Sequence, residues 1–291
     1  MSSRSGLLRR VEVFSPDTPE EVVQLLRDLP APIQVIAGAT SLLVRAQLGR
    51  WQPKGVVIDL SCVADLQSFE VGEKLLRIGS TVTCSQMAQL DDRHPLAPIF
   101  GEATCFGPLA IRNRATVGGN IMQARATADL ATALLALDAS IVLLSAEGRR
   151  QVPLFSFLVA DGETSAKSTE LLVEIRIEIP KPPLVTFYRR VARCAAGRSV
   201  VSFAGVVTAG EQGPRFRVAV GGAGPTALRL FELERVLAAE PLSEALIPRA
   251  IRTLDSEITP PDDFEETAAY RRQLISRLLA EFLELSLKQV S

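Results

Sequence analysis

The sequence predicts an α+β chain in two domains, and three observations carry that reading. The chain opens as strand, helix, strand, with a small-residue turn after the second strand. Pro180-Lys181-Pro182-Pro183 then breaks the pattern, since proline at that density suits a linker and no element interior. Beyond it come three apolar, β-branched runs and then helical ones, the order expected of an antiparallel sheet covered by helices. The implied domains are 1–180, with subdomains of about 1–60 and 61–180, and 184–291.

Taken in order, residues 11–14 read as a strand. Thr18-Pro19-Glu20-Glu21 is a helix start, with Thr as N-cap, Pro at the first helical position and Glu at the third. That helix ends near Leu29-Pro30, and residues 33–36 form a short apolar run expected as a buried strand. A helical run over 42–48 and a strand over 56–60 complete a β-α-β unit, whose first turn lies where α/β folds bind ligands. Strands are expected at 75–79 and 141–144, helices at 85–90, 99–106 and 130–137, and a turn at Glu147-Gly148. Residues 171–179 alternate apolar and charged, which predicts a half-buried strand. After the linker, strands are expected at 185–191, 200–207 and 216–220, with Glu211-Gln212-Gly213-Pro214 as a hairpin loop. Three helices follow, at 227–239, 244–257 and 264–288, the last with Leu274, Leu278, Phe282 and Leu285 as its core stripe. No internal repeat is visible.

Composition narrows the function. At 291 residues, 47% hydrophobic and 22% charged, the chain is globular in character. Its net charge of −1 lacks the basic excess of a nucleic-acid binder. No apolar run has the length of a membrane span, and the Arg-bearing N-terminus lacks a signal-peptide core, so a cytoplasmic location is expected. The four cysteines (Cys62, Cys84, Cys105, Cys194) form no C-x-x-C pair and are expected to be buried thiols, with no metal site. A single histidine, His94, makes a zinc-hydrolase site or a nucleophile–His triad a poor fit, and no residue stands out as catalytic. Neither a Walker phosphate loop nor a G-x-G-x-x-G turn is present.

Two small-residue turns carry the binding chemistry. Ala37-Gly38-Ala39-Thr40-Ser41 follows a predicted strand and precedes a helix. Arg112-Asn113-Arg114-Ala115-Thr116-Val117-Gly118-Gly119-Asn120 is the more specific segment. Glycine lets backbone approach a ligand closely, and successive N–H groups in such turns make a nest for anions such as phosphate. The two turns together could hold one pyrophosphate from both sides. Asp129 reads as the cap of the helix that follows it.

These motifs resemble the flavin-binding subunit of the molybdenum hydroxylases, the group that contains xanthine dehydrogenase and carbon monoxide dehydrogenase. The likeness spans nearly the whole chain. It includes both turns, Asp129 with the run Ala133 to Ala139, Gly221-Gly222-Ala223 with Pro225-Thr226, Arg229 and Glu234, and Tyr270-Arg271. The resemblance implies a two-part FAD-binding domain of the vanillyl-alcohol-oxidase (PCMH) type, then a small domain with a three-stranded antiparallel sheet and helices. It implies FAD as cofactor, held by Ala37, Gly38, Ala39, Thr40, Ser41, Leu42, Ile111, Thr116, Gly118, Gly119, Asn120, Asp129, Leu172 and Arg189. In the role the resemblance implies, Asp129 is an acceptor for ribose or nearby backbone. It further implies two partners, a molybdopterin-binding large subunit and a 2Fe–2S small subunit, with electrons passing through the flavin to NAD or another acceptor. Arg189, Arg190 and Arg193 fall where the family has cations near the flavin ring.

Three departures stand out. Ala39 replaces a second glycine, tolerable at negative φ and costly at positive φ. Arg125-Ala126-Thr127-Ala128 replaces a stretch usually of the form Ser-Pro-x-Ser, and Gly197-Arg198 stands where an acid is common. Two other readings therefore stay open: a non-catalytic relative of the same fold that has lost FAD and serves as a scaffold, and a free-standing flavin reductase.

Overall fold

The structure, a computed structural model, describes residues 11–52, 55–182, 184–210 and 213–290. Its first layer is a parallel sheet of β1 (Glu12–Phe14), β2 (Ile33–Ile36) and β3 (Val56–Asp59), in the order β1-β3-β2. Helix α1 (Pro19–Asp28) starts as the sequence predicts, with the Thr18 hydroxyl accepting from the Glu21 N–H at 3.2 Å. Its Val22, Val23 and Leu26 are buried. Strand β2 is half-buried and not buried, because it is an edge strand. Helix α2 (Thr40–Gln47) follows it and buries none of its residues.

The second layer is a five-stranded antiparallel sheet. In chain order its strands are β4 (Phe69–Val71), β5 (Leu75–Gly79), β6 (Ser140–Ser145), β7 (Gly148–Pro153) and β10 (Leu171–Glu178), paired as β4-β5-β10-β6-β7. Strand β4, the one-turn helix α8 (Leu154–Phe157) and the small hairpin β8 (Leu158–Ala160) to β9 (Glu163–Thr164) were not expected, being too short to show a period. The alternation over 171–179 also misleads in one respect. The register shifts between Leu172 and Glu174. Leu171 and Val173 therefore pack with α1 on one face, while Ile175 and Ile177 join the core on the other. A bulge adds one residue and exchanges the faces beyond it.

That second face carries α3 (Cys84–Met87), α4 (Ala97–Ala103), α6 (Val117–Met122) and α7 (Asp129–Ala136), with α5 (Leu109–Arg112) beside α3. All eight residues of α7 are buried. Its sequence is apolar all round because it lies between two sheets. The third sheet, β11 (Leu184–Ala192), β12 (Ser199–Gly210), β13 (Gly213–Gly221) and β14 (Leu228–Arg229), packs Ala204, Val206 and Ala219 against it. The sheet has four strands where three were expected, since Leu228–Arg229 pairs with β13 and delays α9 to Phe231–Ala239. Of the expected hairpin loop, Glu211 and Gln212 lie outside the described residues.

Helices α9, α10 (Ile247–Glu257) and α11 (Ala268–Val290) cover the other face of this sheet. The core stripe of α11 is Ile275, Leu278, Leu279, Phe282 and Leu283, with Leu274 and Leu285 only partly buried. Gly205 in β12 makes room for Phe282: a Cβ there would meet the ring at 2.6 Å. Gly205→Ala is therefore expected to cost about 1–3 kcal/mol by overpacking, read as a lower urea midpoint with an unchanged slope.

The edge of the second sheet holds an ion pair with a pH signature. Arg150 donates two hydrogen bonds to Glu170, at 2.6 and 2.8 Å, and the Glu170 side chain is buried. The guanidinium holds the Glu170 carboxyl below its usual range. A depressed folded pKa means stability present above the unfolded value of about 4.3 and lost as pH falls through the folded one. Glu170→Gln is expected to remove about 1–2 kcal/mol of stability at pH 7 and much less at pH 3. Denaturant titrations at the two pH values check this.

Candidate cofactor site

The first turn forms the site's open donor set. Ala39 sits in the left-handed region at φ 54°, ψ 10°, immediately before α2. The first N–H groups of a helix have no partner within it, and a left-handed residue at that point draws successive N–H groups together. Among the described residues, the N–H groups of Gly38, Ala39, Thr40, Ser41 and Leu42 find no acceptor in the chain, while Leu43 already donates to the Ala39 carbonyl. Residues 38–42 thus present a run of open backbone donors. The positive φ at Ala39 is the costly case for a non-glycine residue.

The second motif meets the first at Gly38, where a Cβ would lie 1.7 Å from the Arg114 carbonyl oxygen. Beyond that contact its role differs from the expected one. Gly118 and Gly119 open α6, and the N–H groups there are already engaged. Val117 donates to the Val82 carbonyl at 2.9 Å, Gly118 to Ser80 at 2.8 Å and Asn120 to Thr116 at 2.9 Å. Gly119 donates to the Thr116 hydroxyl at 3.1 Å, so Thr116 is the N-cap. Gly118 is required by close packing, since a Cβ would fall 2.7 Å from the Ser80 carbonyl oxygen. The glycine pair docks α6 on the end of β5 and offers no nest of its own. Thr116→Ala is expected to cost about 1 kcal/mol of stability, measured by urea denaturation.

What this region does offer is unpaired polarity. The Ser80 and Thr81 hydroxyls and the Asn120 side-chain oxygen are buried without a hydrogen-bond partner. Buried polar atoms are ordinarily paired, so orphaned groups here fit a polar ligand. The sequence did carry a signal for Ser80 and Thr81, as polar residues at the carboxyl end of a predicted strand. Ile111 is half-buried on α5 and Leu172 is buried in the second sheet. Leu42 is half-buried in the first turn of α2.

Asp129 is neither the cap of α7, which is Ala128, nor open to solvent. Its carboxylate accepts from the Ser199 hydroxyl at 2.5 Å and the Tyr188 hydroxyl at 3.0 Å. Arg190 stands 3.6 Å from its other oxygen. It therefore ties α7 to the third sheet. Burial pushes the Asp129 carboxyl up and the Tyr188 phenol well up, so that Tyr188 remains a donor. Arg190 also donates to the Ser199 hydroxyl and to the carbonyls of Ala195 and Gly197. Arg189, on the opposite face of β11, is exposed, with its guanidinium 5.3 Å from the Phe187 ring centroid. Arg193 and Arg198 are exposed and reach Glu266 and Glu265.

A cleft of about 380 Å³ opens beside this junction, lined among others by Arg125, Thr127, Asp161, Arg198 and Phe264. The two sequence departures at 125–128 and 197–198 thus meet at one place. The cysteines depart from expectation: Cys84 is buried, and Cys62, Cys105 and Cys194 are exposed. Among the described residues no cluster could hold a metal ion, and no helix is long and apolar enough to cross a membrane.

Comparison with known proteins agrees with this build. Residues 9–182 match the family described as the FAD binding domain in molybdopterin dehydrogenase, and residues 186–285 the CO dehydrogenase flavoprotein C-terminal domain. The 6-hydroxypseudooxynicotine dehydrogenase complex subunit alpha of Paenarthrobacter nicotinovorans is 30% identical over 275 residues, covering 93% of this chain and 92% of that protein. The nicotinate dehydrogenase FAD-subunit of Eubacterium barkeri is 28% identical, covering 83% and 85%. In fold, the chain superposes on the carbon monoxide dehydrogenase of Hydrogenophaga pseudoflava with a TM-score of 0.90 at 24% identity, covering 97% of this chain and 99% of that one. With open backbone donors ahead of α2 and both family domains present along its length, the chain belongs to the FAD-binding medium subunits of the molybdenum hydroxylases, and its cofactor is FAD.

Proposed function

We propose that this subunit takes electrons from 2Fe–2S clusters on a partner subunit, reduced in turn by a molybdopterin subunit where substrate is oxidised, and delivers them to NAD or another acceptor. The observation that carries the reading is the run of unpartnered N–H groups from Gly38 to Leu42. Such donors hold a diphosphate without a lysine or arginine. When bound, FAD supplies the redox chemistry, accepting electrons and releasing them in pairs or singly. The chain's own residues bind and orient it. We assign the diphosphate to residues 38–42, and the polar groups of Ser80, Thr81 and Asn120 to the nearby ligand edge. Ile111, Leu42 and Leu172 supply apolar walls, and Arg189 a cation. Thr116, Gly118 and Gly119 set the position of α6, and Asp129 fixes the junction that faces the site. We place the domain boundary at residues 180–184, with substrate choice left to the molybdenum subunit.

The relatives named above are subunits of dehydrogenase complexes by name, which supports a heteromeric assembly here. The test is the visible spectrum of the purified chain and the identity of whatever it releases on denaturation. Equimolar FAD is the expected result. A chain that stays colourless after incubation with FAD, both alone and within its complex, would overturn the reading.

A further inference from the structure

Helix α2 is anomalous for a globular protein. It buries no residue, and Leu43, Val44 and Leu48 are 57%, 51% and 61% exposed. At about 100° per residue these three fall within an arc of roughly 140°, so they form one face. Apolar side chains scattered singly on a surface need no explanation, but a clustered face marks an interaction site. The residues just after α2 line a cleft of about 490 Å³, Arg50 and Trp51 with Pro32 and Gln34. The segment's own charges are of one sign. Arg45 and Arg50 flank the face, and the sequence has no acidic residue between Asp28 and Asp59. Strand addition at the open edge of β2 is disfavoured, because the Gln34 amide folds onto the Val35 carbonyl at 2.9 Å.

We propose that the face of α2, with Leu43, Val44, Leu48 and the Trp51 cleft, docks the electron-donating partner subunit through an apolar patch rimmed by carboxylates. The sign of those charges selects the acidic partner, since a cationic segment opposite carboxylates steers association and opposite a second copy of itself repels. The location suits an electron donor: the helix begins at the anion cradle, so a subunit seated on α2 stands next to the cofactor. This inference rests on the electron-transfer reading given above. It names the surface, not the chemistry.

The test uses the chain co-expressed with the 2Fe–2S and molybdopterin subunits of its own complex. Leu43→Ser combined with Leu48→Ser alters side chains more than half exposed, so the separate chain should melt as wild type and bind added FAD equally. In the mixture, the assembled fraction by native mass spectrometry is expected to fall at least tenfold. Arg45→Glu with Arg50→Glu should slow association at low salt and converge on wild type at high salt. Hydrogen exchange on the wild-type complex should protect residues 40–52. A double serine variant that assembles as well as wild type overturns the docking site and leaves the electron-transfer reading intact. Protection of 40–52 that depends on the concentration of this chain alone assigns the face to a second copy and also overturns it. A wild-type chain that binds FAD but associates with neither subunit defeats both readings.

Discussion

Gly38→Ala is expected to strip the subunit of its flavin. The added methyl would lie 1.7 Å from the Arg114 carbonyl oxygen and 2.6 Å from its carbon, both backbone atoms with no rotamer to escape through. One of the two segments must move by more than an ångström. Hydrogen bonds in the cradle tolerate only a few tenths, with donor–acceptor distances of about 2.7–3.2 Å. Several N–H contacts to the diphosphate would therefore weaken together. An affinity loss of at least about 100-fold is expected, equal to about 2.7 kcal/mol, with about 1–3 kcal/mol of folding stability lost to overpacking. A fluorescence titration with FAD and a urea melt of the apo chain separate the two effects. Ala39→Gly serves as the contrast. It relieves the left-handed penalty of about 1–2 kcal/mol and gives back part of it as unfolded-state entropy, about 0.4–1 kcal/mol. Its stability should match or slightly exceed wild type, with flavin retained. If Gly38→Ala binds FAD normally, the two turns do not form a single site.

Asp129→Ala should produce the largest loss of stability. It removes the acceptor for Ser199 and Tyr188 and leaves Arg190, itself largely buried, without its counter-charge. Breaking a buried pair from one side costs about 3–5 kcal/mol. Tyr188→Phe removes one buried hydrogen bond and should cost about 1–2 kcal/mol. The pH dependence has the opposite sign from that of Glu170. Burial raises the Asp129 carboxyl, so the folded chain keeps its proton to higher pH than the unfolded one does. Stability from this group is greatest below the unfolded pKa of about 3.9 and declines as pH rises through the folded value. Asp129→Asn should flatten that part of the profile in chemical denaturation from pH 4 to pH 7. An equally steep decline in the Asn variant would place the titrating group elsewhere.

Long elements with a clear period were legible in the sequence. The N-cap at Thr18, the strands at 33–36 and 75–79, and the helix over 130–137 are found within a residue or two of their expected places. The departures have physical causes. A bulge after Leu172 exchanges the faces of β10, which a pattern of period two does not report. Residues 228–229 are expected in a helix, yet the buried Arg229 side chain pairs with Asp138 and Glu234, and the segment pairs with β13 instead. At the site, the turn at 38–42 was read as an anion cradle from its small residues. The glycine pair at 118–119 was read the same way, but its N–H groups face Ser80 and Thr116, which only the tertiary contact reveals. Arg189, Arg190 and Arg193 are read alike, by resemblance, as cations near the flavin ring. Strand alternation separates them: Arg190 turns inward to Asp129, and Arg189 faces out.

The engagement of those N–H groups bears on how cofactor loss would be recognised in this family. The Thr116–Asn120 signature is the most conspicuous motif in the chain, yet Gly118 answers to the packing of α6 on Ser80 and Gly119 to the Thr116 cap. A descendant that abandoned FAD would still need that packing to fold, and so would keep Thr116, Gly118 and Gly119 while Asn120 became free to change. Decay would surface first at residues 39–42, where a left-handed Ala39 is held at a conformational cost and the N–H groups have no acceptor among the described residues. A pseudoenzyme of this lineage is therefore to be diagnosed from the inconspicuous turn and not from the famous one.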